Sequence, residues 1–305
     1  MSGPEASGKD YKNLSIVSAE VAGLVRGAWE MLQNPDLLSI YTKHYNHHVV
    51  DQQSVLLAAK KVPGLGIVRA QVFSPECHGA GDWYEKLAGL PAVEISVMTN
   101  NASPAARQYL ASQDDLFSFV IDLNKGSEAL LAQCERRCRK AIRAGGRSDI
   151  GLGMAETLGE IRQFHDLCNR VTGNGRRYSV PPCGLLEELW ASRFGRLYIA
   201  TYRGAIVGGV FVLVDNVAHG LLSGFDVHAA GGVSSNFLYW HCIEIEAAQG
   251  TQFLDLGTQL LSENTQLVMF KRSFGPMLIP AFRYELQPSK LRATVYKALK
   301  RVKNL

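Results

Sequence analysis

Two cations sit between two aromatic residues in Phe270-Lys271-Arg272-Ser273-Phe274-Gly275, the stretch of this chain best suited to chemistry. A lysine or arginine anchored by neighbouring rings, with a glycine to end the segment, suits an anionic ligand or a developing negative charge. Upstream, Phe253-Leu254-Asp255-Leu256 is a short apolar run bounded by Gly257. It reads as a buried strand, too short for a helix. Lys271 is the leading candidate, with Arg272 as a surface or structural partner. Asp255 is expected to bond backbone at its strand end.

A second constellation precedes it. Val217 to Phe225 reads as a strand closed by Asp226. A loop of small residues, Ala229 to Ser235, follows, and a helix runs from Ser234 or Ser235 to about Ala248. Strand, glycine-containing loop and helix together present backbone N–H groups to an anion. Gly231, Gly232, Val233, Ser234 and Ser235 are therefore candidate donor-binding residues. The fingerprints of nucleotide hydrolases and dinucleotide folds are absent. Asp226 is the candidate proton acceptor, with a turn cap as its structural alternative. His228 and His241 are lesser candidates, the latter a packed helix residue.

Other cations cluster upstream. Ser127 to Ala144 reads as one amphipathic helix with an apolar stripe of Leu130, Leu131, Cys134, Cys138, Ala141 and Ile142. Its other face carries Arg136, Arg137, Arg139, Lys140 and Arg143. Cations complement a helix C-terminus, but five exceed what capping needs, and Arg137 is taken as a substrate-binding candidate. The loop Gly173 to Pro182 places Arg176, Arg177 and Tyr178 beside a diprolyl stop that holds geometry. His44, His47 and His48 lack a second group at metal-ligand spacing, so no metal is expected.

These groups must be positioned by a mixed α/β scaffold. The chain is 47% hydrophobic and 20% charged, with no apolar run of the roughly 20 residues a bilayer span needs. Its start, MSGPEASGKDYKN, has no hydrophobic core of a secretory signal. Six scattered cysteines without C-x-x-C fit reduced thiols, and a cytoplasmic location is expected. Residues 1–12 have nothing to bury and are expected to be disordered.

Helices are expected at Ser18–Gln33, Asp36–Tyr45, Asp82–Leu90, Ser103–Leu110, Ala155–Thr172 and Gly184–Phe194. Strands are expected at Ser54–Lys60, Gly66–Phe73, Pro91–Met98, Leu116–Leu123, Arg196–Tyr202, Ala205–Val214 and Met277–Glu285. The tail from Gln287 to Leu305 holds six cations and no acid, which turns a body of net −2 into a chain of +4. Its apolar residues at near-helical spacing suit packing on the body, a partner, or an anionic membrane.

In their order these pieces resemble the Fem-type (peptidoglycan-bridge, FemAB-like) branch of the GNAT superfamily of N-acyltransferases. The carriers are FVIDLNKGSEALLAQCERRCRKAIRAGG, then TGNGRRYSVPP with RLYIATYRGAIVGGVFVL, then SGFDVHAAGGVSSNFLYWHCIEIEAAQGTQFLDLG, and FKRSFG. The last is close to the family's F-K-x-G-F-G, departing at Ser273. Val233-Ser234-Ser235 departs from a Ser-Pro-Gly-like turn.

The resemblance implies an α/β (α+β) fold of tandem GNAT-like halves with mixed, mostly antiparallel sheets flanked by helices. Residues 13–115 would form the worn-down half, 116–286 the acyltransferase half and 287–305 a basic helix. It implies Lys271 near the reacting acyl group and Arg176 or Arg177 on an acceptor phosphate. Acyl-CoA or aminoacyl-tRNA would be the co-substrate, with no tightly bound cofactor. A small-molecule or peptide amine would be the acceptor. A non-catalytic binding or scaffold module is the alternative of another class.

Overall fold

A computed structural model describes residues 34–45, the strands between 48 and 112, and most of 116–287. Within that last span 173–179, 216, 231–234 and 263–264 are outside the description, as are 1–33 and most of the tail. The expected helices at Ser18–Gln33, Asp82–Leu90 and Ser103–Leu110 therefore lie outside the described residues, except that Leu110 begins a strand.

Two sheets share one plan. The first half supplies β1 (His48–Asp51), β2 (Val55–Val62), β3 (Gly66–Phe73), β4 (Ala92–Thr99) and β5 (Leu110–Ser112). The second supplies β6 (Leu116–Asp122), β7 (Gly151–Met154), β8 (Gly195–Tyr202), β9 (Ala205–Val214), β10 (Val217–Phe225), β11 (Phe253–Leu260), β12 (Met277–Pro280) and β13 (Phe282–Leu286). The orders are β1-β2-β3-β4-β13-β5 and β12-β6-β11-β10-β9-β8-β7. In each sheet an antiparallel meander leads to one parallel pair, β3 with β4 and β10 with β11.

Beyond each parallel pair lies a strand distant in sequence, and in the first sheet that strand, β13, comes from the second half. β6 inserts antiparallel between β11 and β12, and β13 inserts antiparallel between β4 and β5. The single strand expected at Met277–Glu285 is thus two. It breaks at Ala281, whose N–H bonds to the Leu116 carbonyl, and the second piece crosses to the first sheet.

Helices cover the second sheet: α1 (Pro35–Tyr45), α2 (Ser127–Gln133), α3 (Arg136–Gly145), α4 (Leu158–Thr172), α5 (Cys183–Ala191), α6 (Asn236–Ala248) and α7 (Thr265–Arg272). Among the described residues, no helix is long and apolar enough to cross a membrane. One core packs Phe119, Ile121, Leu254 and Phe274 with α2, α3 and α6, and a second gathers α1, α4 and α5 on Leu197 and Phe211. The β8–β9 turn puts Arg203 and Gly204 at φ 50° and 79°, the left-handed pair of a tight hairpin. The helix expected from Ala155 starts at Leu158, because Thr157 and Glu160 form a capping box; Glu160 accepts from the Glu156 and Thr157 N–H groups at 2.8 and 2.9 Å.

The helix expected from Ser127 to Ala144 is broken. Cys134 and Glu135 are extended, at φ −60°, ψ 145° and φ −58°, ψ 149°. The cause is the segment after Lys271. The Glu135 N–H donates to the Ser273 carbonyl at 2.8 Å instead of continuing the helix. Arg139 reaches back to the Ala132 carbonyl at 3.1 Å and to that of Cys134, so one cation of the basic face caps the broken end.

Gly275 sits against the same break at φ 70°, where an added Cβ would lie 2.6 Å from the Gln133 carbonyl oxygen. Gly275→Ala is therefore expected to destabilise by about 2–4 kcal/mol, combining a strained left-handed residue with a backbone clash. A urea midpoint unchanged from the parent would contradict this account.

A buried polar knot fixes α6 to the sheet. Glu246, fully buried, accepts from the Tyr198 hydroxyl at 2.5 Å, Arg196 Nη1 at 2.9 Å and Thr251 Oγ1 at 2.5 Å.

Candidate active site

The second sheet opens at its centre. β10 and β11 pair only through Val217–His219 against Phe253–Asp255, although both strands continue well beyond. Each carries an irregularity just past that point: β10 shifts register against β9 between Gly220 and Leu222, and β11 against β6 between Asp255 and Thr258. Such bulges bend strands and end pairing. Gly220 and Ser223 are exposed although β10 is the central strand of seven. The equivalent pair in the first sheet, β3 and β4, stays in register from Ile67↔Ala92 to Phe73↔Met98. Of the two parallel pairs, the one in the second half stops pairing partway along its strands.

Lys271 points at the mouth of this opening. It lies near the end of α7, 7% exposed, and its Nζ donates to the Gly257 carbonyl at 2.9 Å. Gly257 stands at φ 89° within the β11 bulge. Its N–H is held by Asp255 Oδ1 at 2.7 Å, so the peptide is gripped from both ends. Asp255 Oδ2 faces His219 Nδ1 at 3.3 Å across the last paired rung. Burial pushes the Lys271 ammonium down from 10.5 to about 8, and the Asp255 carboxylate opposes that fall. A cation this poorly solvated donates strongly to nearby negative charge.

The rings that flank Lys271 pack on α6 and on each other, and the ring against its ammonium is that of Phe119 on β6. Phe270 meets Tyr239 of α6 edge-on at 5.0 Å and Phe274 at 5.3 Å. Lys271 Nζ lies 5.6 Å from the Phe119 ring centroid. Tyr239 in turn hydrogen-bonds Ser223 on the open part of β10, and burial raises its phenol to about 12.

The remaining candidates divide. Asp226 is half-buried, and its Oδ1 accepts from the His228 and Ala229 N–H groups at 3.1 and 2.9 Å, holding the turn into the small-residue loop. Ser235 is the residue before α6 and makes no side-chain cap. Gly231, Gly232, Val233 and Ser234, and the loop with Arg176, Arg177 and Tyr178, lie outside the described residues. Arg137 is exposed on α3 and Arg272 is half-exposed beside buried Lys271. His241 is edge-on to Tyr198, and burial lowers its pKa. Among the three early histidines, His44 pairs with Glu188 of α5 at 2.8 Å, and His47 lies outside the described residues.

The sequence reading missed His219 as a site residue. Its signal is the strand register, which sets a histidine opposite Asp255 at the point of parting. That register was invisible until the two strands were known to be parallel neighbours. The reading also missed α7: the polar stretch before Phe270 gave no cap signal, yet Thr265–Arg272 is helical and carries Lys271 on its buried side.

Residues 132–265 match the family model of the acetyltransferase (GNAT) domain. This match falls within the stretch whose motifs resemble the Fem-type branch of that superfamily.

In fold it is similar to FemX, with a TM-score of 0.64 at 11% identity over 95% of this chain and 99% of that one. It is also similar to the C-terminal domain of a putative lysylphosphatidylglycerol synthetase from Agrobacterium fabrum, with a TM-score of 0.56 at 16% identity over 93% and 96%. A tandem GNAT protein from the clavulanic acid biosynthesis pathway gives 0.51 at 10% identity over 77% and 79%. Comparison with curated proteins gives no significant sequence match.

Proposed function

We propose that this protein transfers an acyl group from an acyl-CoA-type donor to an amine acceptor in the cytoplasm. The observation that carries the reading is the parting of β10 and β11 after His219 and Asp255. A thin thioester arm fits between separated strands, and the loop before α6 offers N–H groups to its diphosphate. Held there, the acyl carbonyl gains the advantage of fixed orientation. Gly231, Gly232, Val233, Ser234 and Ser235 take the donor-binding role.

Attack by the amine places negative charge on the carbonyl oxygen, and Lys271 stabilises it by donating from its ammonium. We assign the amine's proton to His219, oriented by Asp255 at the apex of the opening. Asp226 is reassigned from proton acceptor to keeper of the turn that leads into the donor loop. Arg176 or Arg177, with Tyr178, would hold an anionic part of the acceptor, and the half formed by 13–115 would wall that side.

A second reading has a specific support. Arg136, Arg137, Lys140 and Arg143 are exposed along α3, and Gly145 at its end touches Phe237 at the start of α6. A cationic row leading to the donor loop suits a longer polyanion, and the similarity to FemX and to a lysylphosphatidylglycerol synthetase makes an aminoacyl group on tRNA the alternative donor.

Thermal shift with acetyl-CoA and, separately, with lysyl-tRNA tests both. A donor at 100 times its Kd adds about 2.7 kcal/mol, which for a protein of this size is several degrees. A shift with acetyl-CoA supports the first reading; a shift with the charged tRNA alone, lost at high salt, supports the second. No shift with either turns the reading toward a non-catalytic scaffold.

A further inference from the structure

β9 and β10 carry four glycines, and packing requires three of them. A Cβ at Gly208 would lie 2.2 Å from the Phe225 ring, one at Gly209 2.4 Å from the Phe164 ring, and one at Gly224 2.7 Å from Cys168 Sγ. Gly220 is different. A Cβ there meets the Asp255 carbonyl oxygen at 3.5 Å, an ordinary van der Waals contact, and its φ lies outside the left-handed region that favours glycine. The register shift beside it is therefore not a bulge that needs a left-handed residue. A glycine inside a strand weakens it, and one that neither packing nor backbone requires marks the close approach of a ligand.

The surroundings of Gly220 point the same way. It pairs with Val212, and Ser223, after the register shift, pairs with Val210. Both valines are buried in the core that α6 helps to form, so Gly220 and Ser223 share the α6 face of the sheet. Ala218, one step earlier on that face, is fully buried, whereas Gly220 and Ser223 are exposed. The space is local to β10 where it parts from β11, since the neighbouring β9 residues on the same face are covered. Across it stand Gly257, whose φ of 89° does call for glycine, and Lys271, whose Nζ is 3.5 Å from a Cβ placed at 257.

We propose that Gly220 sets the size of the transferred acyl group, and that this protein takes acyl groups larger than acetyl. The inference rests on the acyl-transfer reading of the site, in which Lys271 meets the carbonyl oxygen. Lys271 Nζ is held at the Gly257 carbonyl, just past the last paired rung of His219 and Asp255. With the acyl carbonyl at that level, its chain reaches toward the apex of the opening. There the missing side chain of Gly220 leaves room for carbons beyond the α-carbon. An acetyl group has none to place in it, so the vacancy is of use only to a longer or branched acyl group.

The test needs no acceptor. Calorimetric titration of the full chain compares acetyl-CoA with butyryl-CoA, and glycyl-tRNA with leucyl-tRNA for the alternative carrier. The parent is expected to bind the larger member of the accepted pair more tightly. Gly220→Ala should lower the ratio of larger to smaller affinity by about ten-fold or more, the discrimination that one methyl group makes in a pocket. It should melt at the parent's temperature or up to about 3 °C above it, as alanine does where the backbone suits it. Gly224→Ala, with its 2.7 Å contact, should melt several degrees lower. An unchanged ratio in Gly220→Ala, or a parent that prefers the smaller acyl group, overturns the proposal and leaves the donor reading standing. A fall in melting temperature like that of Gly224→Ala makes Gly220 structural and overturns it as well. Binding of neither carrier to the parent sinks the acyl-transfer reading, and the proposal with it.

Discussion

Replacing Lys271 with Met will lower kcat/KM by about 10²- to 10³-fold, the cost of losing one preorganised donor to a developing oxyanion, without unfolding the protein. Met keeps the volume of the buried stem. Two opposing stability terms decide the sign. The Lys271 ammonium loses its bond to the Gly257 carbonyl, and a hydrogen bond from a charged donor contributes about 1.5–3 kcal/mol. Against that, burial holds this amine at about 8 rather than 10.5. That displacement corresponds to roughly 3 kcal/mol of cost to the folded state at neutral pH. The two nearly cancel, so Lys271→Met should melt within a few degrees of the parent at pH 7.

The pH dependence separates them. Between about 8 and 10.5 the unfolded chain binds the extra proton, so the parent gains stability as pH rises through that window. The stability of Lys271→Met relative to the parent is therefore greatest below pH 8 and falls as pH rises toward 10.5. Transfer by the parent should decline above pH 8 as the ammonium is lost. A variant that keeps its transfer rate, or whose stability relative to the parent does not move with pH, would sink the assigned role.

The largest effect on stability is expected at Glu246. Glu246→Ala leaves the Tyr198 hydroxyl, Thr251 Oγ1 and the Arg196 guanidinium without the carboxylate they share in a fully buried site. Breaking a buried charged pair by removing one partner costs about 3–5 kcal/mol. Glu246→Gln, which keeps one oxygen acceptor, should lose clearly less. Urea unfolding of the two variants checks this, and equal losses would mean that packing, not the charge, holds α6 to β8.

Much of the strand order was legible because it rests on local patterning. Gly66–Phe73 and Val217–Phe225 have the bounds that their apolar runs predict. The break in Ser127–Ala144 was not legible, because every residue in it suits a helix. It arises from Ser273 and Gly275, more than 130 residues away, pressing on Glu135 and Gln133. The site was legible in part for the same reason. Lys271 announces itself through its flanking rings, whereas His219 gains meaning only from Asp255 on a neighbouring strand. Asp226 looked like a free carboxylate at a strand end; its contacts to two N–H groups belong to a turn whose geometry a sequence pattern does not disclose.

The crossing of β13 into the first sheet has a consequence for synthesis. β4 and β5 lie in the first 112 residues, yet the strand that joins them is 282–286. A ribosome adding roughly 5–20 residues per second needs some 10 to 30 s to reach it after β5 has emerged. Throughout that interval the nascent first half carries two strand edges with nothing between them, the kind of surface that recruits the wrong partner. The N-terminal half therefore finishes folding last, and a stalled or truncated chain that ends before Phe282 should be recovered with chaperones or in aggregates.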